Sequence, residues 1–592
     1  MAISRYLFLS LAASALAAAP DGEALYKTRC STCHDGPPQA RMPARKEIAA
    51  MSPESVLGIL TQGSMAIQAA GLSVEEERAV ARYVTGKEFS STAAPTAGQC
   101  TAAAPALKMI DGDWSGWGKD PTNMHFQTKP GLAAADVPKL QLKWAFGFPK
   151  DSMAFSQPAV VGGRVFVGSA SGNVYSLDAA TGCTYWSYNA GAGVRTAISV
   201  GKLPNGKWAV YFGDLRTNAH AVDAETGELL WKIKLDEHPA SRITGAPALV
   251  NGRLYVPVSS IEEASAAQPT YGCCTFRGSV AALDAATGKK IWQGYTVPDP
   301  AKPYKTAKNG VELKGPAGAA VWSSPTVDLK RKLVYAATGN SYTSVSINTS
   351  DAILAFDLES GRLVWSSQVQ PKDNFVIGCP RGQQCDPDLD GPDFDFGTSP
   401  VLAKLPNGKD IIVAGQKAGV AWGLDPDNRG KVLWQTRVGK GSALGGIEWG
   451  HAADDKLAYV AISDRILGKN GTPGLYALDL ATGDVKWSAL PPDGVPGNPA
   501  QSAAIAVIPG VVFSGALNGH FRGYSTADGK IVWDFDTNRT FDTVNQVEGA
   551  KGGSIDAPGP VIAHGVVYTN SGYNQFGGIR GNVLLAFSVD GK

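Results

Sequence analysis

VYSLDAATGCTYW occupies residues 174–186, and variants of that stretch recur down the chain. They read AHAVDAETGELLW (219–231), VAALDAATGKKIW (280–292), ILAFDLESGRLVW (353–365), AWGLDPDNRGKVLW (421–434), LYALDLATGDVKW (475–487) and FRGYSTADGKIVW (521–533). Each is a strand, an Asp-initiated turn containing Gly, a second strand and a Trp. The fifth copy is one residue longer and the seventh has lost its Asp. Each is preceded by another apolar strand pair, such as GAPALVNGRLYVPVSS. Four strands per repeat at this period predict a β-propeller. Two half-copies set the blade number. Trp144, in KLQLKWAF, has no Asp-turn-Gly before it, and NVLLAFSVDGK at the far end has no Trp after it. Together they make one split blade, which closes the ring at eight and removes exposed sheet edges.

The repeating tryptophans are expected to dock blade on blade. Positions that do not repeat are therefore the informative ones. Successive Trp intervals from Trp144 are 42, 45, 61, 73, 69, 53 and 46 residues, so the extra length lies between Trp231 and Trp434. Insertions in propellers map to loops, often on the binding face. The long blades carry YGCCTF, TGNSY, DGPDFDFG and GQKAG.

Net charge is +1 with 18% charged residues, which gives no electrostatic footprint for nucleic acid. Residues 1–19, with Arg5, an apolar run and Ala-x-Ala near Ala19, read as a secretory signal peptide. A periplasmic or secreted protein is expected. No other stretch approaches the length of a membrane span. CSTCH, from Cys30 to His34, is the covalent haem c attachment motif, with His34 as an axial ligand. Met65, in a loop between two helical stretches, is the expected sixth ligand. Met42 lies only eight residues past His34, and Met51 is the other alternative. The expected organisation is a cytochrome c domain over 20–87, a linker rich in Ala, Ser, Thr and Pro over 88–108, and the propeller over 109–592. Apart from the haem pair, six cysteines remain of eight. One economical arrangement pairs Cys100 with Cys183, Cys379 with Cys385, and Cys273 with its neighbour Cys274. Taken alone, the last pair reads first as two unrelated thiols or as partners for cysteines elsewhere, since neighbouring Cα atoms lie closer than an ordinary disulfide wants.

The Asp-turn-Gly-Trp blades, the haem motif and the adjacent cysteines together resemble the PQQ-dependent quinohaemoprotein alcohol dehydrogenases. The likeness covers residues 109–592. With the cytochrome ahead of the propeller, it is most similar to the cytochrome-containing type that acts on polyvinyl alcohol. The resemblance implies pyrroloquinoline quinone (PQQ), one haem c and Ca²⁺ or a lanthanide as cofactors. It places Trp322 under the quinone and Asn340, 18 residues on, at the metal. Glu262 is the matching metal carboxylate, with Glu263 as substitute. Asp393 is the base and a metal neighbour, Asp395 an extra metal carboxylate, and Lys417 the cation at the quinone carbonyls. Arg195 and Thr244 match cofactor anchors. Cys273–Cys274 becomes a bridged lid on the quinone face opposite Trp322. The sequence departs from the family twice. The cysteine pair comes from a different blade, and the acidic cofactor contact is missing, leaving Ser156 or Gln157 in its place. The implied reaction is oxidation of small or polymeric alcohols, secondary ones included, with electrons passing to the haem and on to an external cytochrome. Two other readings stay open: the same cofactors hydroxylating a heterocycle, and a scaffold propeller without chemistry.

Overall fold

The computed structural model describes residues 19–36, 43–61, 65, 68–69, 72–89, 97–266, 270–377 and 386–592. The signal-peptide reading of residues 1–18, Met42 and the Cys379–Cys385 pairing lie outside them. Two compact units are present, one made by residues 1–57 and 72–90, the other by 58–71 and 91–592.

The small unit is helical. Gly22–Arg29 starts at Asp21, whose side chain accepts the N–H groups of Glu23 and Ala24. Val74–Thr85 starts at a Ser73/Glu76 capping box and stops at left-handed Gly86. The two helices cross at Gly22, where a Cβ would lie 2.2 Å from the Ala79 carbonyl oxygen. Tyr26 and Tyr83 pack at 5.6 Å beside that crossing.

The large unit is the eight-bladed propeller. Seven antiparallel blades of four strands follow in chain order, from Ala159–Asn189 to Ala506–Asp536; the third has one extra strand, Ser241–Arg242, and a neighbouring hairpin, Lys302–Thr306 with Glu312–Gly315. The eighth is the split blade. Leu140–Gly147 pairs antiparallel with Val583–Val589, Trp144 opposite Ala586. The first strands of all eight blades touch in a closed circle, so they form the innermost ring.

The repeat explains the docking. In a typical copy, Asp178 Oδ1 accepts the N–H groups of Ala180 and Thr181 and the Thr181 hydroxyl, closing the turn. The turn glycine is left-handed in every copy, and a Cβ there would lie 2.4–2.9 Å from the preceding blade's indole. The indole Nε1 of Trp144, Trp186, Trp231, Trp292, Trp434 and Trp487 donates to a backbone carbonyl of that turn, Trp144 to Ala179 at 3.2 Å, and Trp533, facing the split blade, donates to the Leu140 carbonyl at 3.0 Å. Gly and Trp are thus two halves of one interface. Segment 97–100 is added to the first blade by Thr184 N–H on the Gly98 carbonyl and by the Cys100–Cys183 disulfide.

Under the ring, residues 114–127 carry His125, fully buried at 1% exposure with no hydrogen-bond partner on either ring nitrogen. Its ring lies 5.0 Å from Trp117 and 6.2 Å from Trp114. Burial pushes its pKa down from 6.5 to about 3, and that of buried His451 to about 4. Both are neutral when folded, so the unfolded chain binds more protons below pH 6.5. Their stability contribution is complete above that pH and is lost as pH falls towards the folded values. Each histidine should cost about 1.4 kcal/mol per pH unit in that window. Thermal melts between pH 7.5 and 4.5 should show a falling Tm, and His125→Phe should flatten the slope. An unchanged slope would show that His125 is not the acid-sensitive group.

Candidate active site

The segments that lead into the innermost strands face the propeller axis. Phe155 and Gln157, Arg195 and Ala197, Thr244 to Ala246, Trp322 to Ser324, Gly397, Trp449, Ala557 and Pro558 line one cavity. Seven blades contribute. Trp322 is half-buried and meets Trp449 edge-on, ring centroids 5.1 Å apart. The Arg195 guanidinium stacks on Trp449 at 4.4 Å. Arg195 Nη2, Trp449 Nε1, Trp117 Nε1 and Ser323 Oγ are buried here without hydrogen-bond partners. Unpaired buried donors are costly, so this wall fits a ligand rich in acceptor oxygens. Thr244 shares a 2.8 Å hydrogen bond with Ser259. Gln157 reaches the cavity, but its amide spans the Trp117 carbonyl and the Gly559 N–H. Ser156 donates to the Thr196 carbonyl. Both residues suggested for the missing acidic contact are thus engaged with backbone.

A polar cluster adjoins Trp322 at Gly339, where a Cβ would lie 2.9 Å from Asp395 Oδ1 and 3.3 Å from the Trp322 nitrogen. Lys417 Nζ donates to Asp393 Oδ1 (2.7 Å) and Asp395 Oδ2 (3.2 Å). Asp395 Oδ1 accepts the Asn340 N–H at 2.7 Å. Asn340 gives both hydrogens of its side-chain amide to the Ser341 and Phe375 carbonyls, each at 2.8 Å. Its Oδ1 is thereby turned the other way, as a free oxygen donor. Glu263 completes the group, its ionisation opposed by burial and by Asp395, which push its pKa to about 7. Burial raises Asp393 well above the usual carboxylate range, with Asp395 and Glu263 adding to the rise against Lys417. Lys417 stays charged, its pKa raised by Asp393 and Asp395 against the cost of burial. Behind them lie buried Asp373 and Asp351; burial and the neighbouring carboxylates raise Asp351 well above its usual range, and neither of its oxygens has a hydrogen-bond partner. Carboxylates thus outnumber the one ammonium, a surplus that a hard cation would neutralise. Among the described residues no three Asp, Glu, His or Cys side chains converge closely enough to cage a metal alone. A cation here needs the amide oxygen of Asn340 and donors from a ligand as well.

Glu262, matched above to the metal, is committed elsewhere. Its Oε1 accepts the Tyr271 hydroxyl and Thr275 N–H, both at 2.8 Å, and faces His238 Nε2 at 3.3 Å; Oε2 accepts Phe276 N–H at 2.8 Å. Burial would raise its pKa, but His238 and the two backbone N–H groups hold it below the usual value. It is the anchor of the cysteine loop, and the substitute, Glu263, is the carboxylate that faces the cluster.

Cys273 and Cys274 are joined by a disulfide across a cis peptide bond. The pair is clamped to the hairpin: Cys274 N–H donates to the Lys314 carbonyl and Lys314 N–H to the Cys273 carbonyl. It shares an apolar cluster with Tyr342 and Phe276, against which Trp322 packs. Neither cysteine lines the axial cavity. Cys273 borders a smaller one with Tyr342, Tyr304 and Asp386. The hairpin thus fixes the backbone of the pair within the cluster against which Trp322 packs. Trp449, Tyr342, Asp373 and Asp351 were not anticipated from the sequence. A signal existed for Trp449 alone, a Trp outside the repeat register.

In the helical unit, Cys30 is the N-cap of the short helix Ser31–His34 and Cys33 lies within it, and neither is in a disulfide. His34 is buried, and its Nδ1 donates to the Pro43 carbonyl at 2.8 Å. That fixes the tautomer and leaves Nε2 as a lone-pair donor, the usual outer-shell arrangement of a metal-binding histidine. These residues fit covalent haem. Met65, in the segment 58–71 that groups with the large unit, sits in a turn, its N–H on the Ile59 carbonyl.

Three family models match the chain. The glucose/ethanol/alcohol dehydrogenase β-propeller domain covers residues 114–381, cytochrome c oxidase cbb3-type subunit III covers 17–84, and outer membrane protein assembly factor BamB covers 416–575. A polyvinylalcohol dehydrogenase of Pseudomonas sp. is 44% identical over 100% of this chain and 97% of its own length. A second, from Sphingopyxis sp. strain 113P3, is 42% identical over 97% of this chain and 93% of its own. Among solved structures, a quinohemoprotein alcohol dehydrogenase of Pseudomonas putida HK5 superposes with a TM-score of 0.63 at 18% identity, covering 81% of each chain. That likeness speaks to fold.

Proposed function

Since the chain belongs to the polyvinyl alcohol dehydrogenase family, a group of PQQ-dependent alcohol dehydrogenases, we propose that it oxidises secondary alcohol groups, those of polyvinyl alcohol included, and delivers the electrons through its own haem to an external cytochrome. The observation that carries this reading is the buried Asp393–Lys417–Asp395 group beside an axial cavity with unpaired donors.

Asp393 is the general base. Lys417 occupies its Oδ1, which leaves Oδ2 to take the substrate hydroxyl proton, and burial makes that proton uptake favourable. Trp322 offers a flat wall for stacking. Arg195 and Thr244 would answer the carboxylates of a bound quinone, and Lys417 would supply the positive charge for its carbonyls. Glu263, Asn340 Oδ1 and Asp395, with Asp393 beside them, are the oxygen donors for a cation. They suit Ca²⁺, and the additional carboxylate of Asp395 suits a lanthanide as well. When bound, PQQ supplies the two-electron acceptor and the cation the Lewis acid. Cys30 and Cys33 tether the haem, His34 Nε2 binds its iron, and Met65 is proposed as the sixth ligand. The Cys100–Cys183 bridge and the leader-like residues 1–19 support export to the periplasm. No helix among the described residues is long and apolar enough to cross a membrane.

The test is to add PQQ and Ca²⁺ to cofactor-free protein and follow the reduced-haem absorbance band with polyvinyl alcohol, 2-propanol and ethanol. Rapid reduction with the polymer and 2-propanol is expected, with ethanol slower. Absence of reduction with every alcohol would overturn the dehydrogenase reading. Reduction by small alcohols alone would overturn its polymer part.

A further inference from the structure

Asp393 has φ +61°, a left-handed conformation that a residue with a Cβ adopts only when its surroundings hold it there. The holding group comes from twenty residues upstream in the chain. Asp373 is completely buried, and its carboxylate accepts two consecutive backbone N–H groups, Asp393 on Oδ1 at 3.0 Å and Phe394 on Oδ2 at 2.6 Å. Its own carbonyl accepts the N–H of Ser341 at 3.0 Å, the residue after Asn340. Asn374 closes the same junction, its carbonyl taking the Gly391 N–H at 2.9 Å and its side-chain oxygen the Asp390 N–H at 3.0 Å. The chain stays at the site through Phe375 and Ile377, whose N–H groups donate to the Ser341 and Glu263 carbonyls, and is back there at Asp390, in a neck that Asp373 ties shut. Gly391 makes room for the tie: a Cβ there would lie 2.3 Å from Asp373 Oδ1.

We infer that Asp373 is a positioning residue that holds Asp393 in register with Asn340, so that the base strip and the amide-oxygen strip form one site despite the insertion between them. A carboxylate is suited to this because it accepts on both oxygens, whereas an amide accepts on one and presents hydrogens with the other. The inference rests on Asp393 being the base, and the experiment separates the two.

Asp373→Asn, Gly391→Ala and Asp393→Asn are prepared as full-length cofactor-loaded enzyme. The measurements are kcat and KM for 2-propanol, the deuterium isotope effect with 2-deuterated 2-propanol, PQQ affinity by tryptophan fluorescence, and Tm. Misplacing a base by a fraction of its working distance costs on the order of 100-fold. Asp373→Asn and Gly391→Ala should each lower kcat about 10- to 100-fold, raise the isotope effect, and leave KM and PQQ affinity within about threefold. Gly391→Ala presses on the Asp373 carboxylate and on the Asn374 backbone nitrogen, each 2.3 Å from the added Cβ, while keeping the charge, and it decides the matter where Asp373→Asn does not fold. An unchanged kcat in either folded variant, or a joint loss of PQQ affinity and Tm, overturns the inference and leaves Asp373 as a structural residue. So does failure of both to fold. Full activity in Asp393→Asn would instead remove the base assignment itself.

Discussion

Asp393→Asn should bind PQQ and cation and yet reduce its haem with alcohol at least 1,000-fold more slowly than the parent chain, near the upper end of what a positioned base contributes. The substitution keeps the shape of the side chain and its Oδ1, the atom that accepts from Lys417. Lys417 also retains Asp395 at 3.2 Å. The surroundings therefore lose one charge and one proton acceptor and little else. Asp395→Asn is the informative comparison. Asp395 is tied by Oδ1 to the Asn340 N–H and by Oδ2 to Lys417, so neither oxygen is as free as Asp393 Oδ2. Its loss should weaken cation affinity and spare much of the rate at saturating cation. Stopped-flow haem reduction, with tryptophan quenching to report cofactor binding, measures both. Turnover retained in Asp393→Asn and abolished in Asp395→Asn would exchange the two roles.

The fold was readable because the repeat records contacts between blades as well as within them. The turn glycine is required by the preceding blade's indole as much as by its own φ, so Gly and Trp recur together. The half-copies at Trp144 and NVLLAFSVDGK are legible for the same reason: the repeat is a complete unit, so a missing half is noticed and its partner can be sought. At the site this logic weakens. Trp322, Asn340, Asp393, Asp395, Arg195, Thr244 and Lys417 were all singled out, and the structure gathers them around the axis in two adjoining groups. The cysteine pair is the hardest feature to place from sequence, because its position depends on a hairpin from another part of the insertion, through the Lys314 backbone. Asp373 gave no local signal in QPKDNF, since its partners, the N–H groups of Asp393 and Phe394, lie some twenty residues further along the chain.

Glu262 and Glu263 show the finest ambiguity, and separating them is the second large expected effect. They are consecutive in the one-turn helix Glu262–Ser265, where neighbouring side chains point about 100° apart. Sequence assigns a carboxylate to that turn without choosing which one faces the site. The choice is made by the backbone N–H groups of Thr275 and Phe276, which need an acceptor and take Glu262. Glu263→Gln should therefore lower apparent Ca²⁺ affinity about 100-fold or more, since losing even an indirect ligand contact costs 10- to 100-fold, while Tm without added cation is kept or raised by removal of a poorly solvated charge. Glu262→Gln should do the reverse. Its new amide hydrogens would face backbone N–H groups that already need an acceptor, a buried mismatch costing about 1–3 kcal/mol for each group left unpaired. The cysteine loop should loosen and Tm should fall, with Ca²⁺ affinity within about tenfold of the parent. Calcium titrations read by haem reduction, paired with thermal melts of the cation-free protein, resolve the two. Loss of Ca²⁺ affinity in Glu262→Gln with an unchanged melt would return the metal to Glu262, and its hydrogen bonds to the cysteine loop would then have to break when the cation binds.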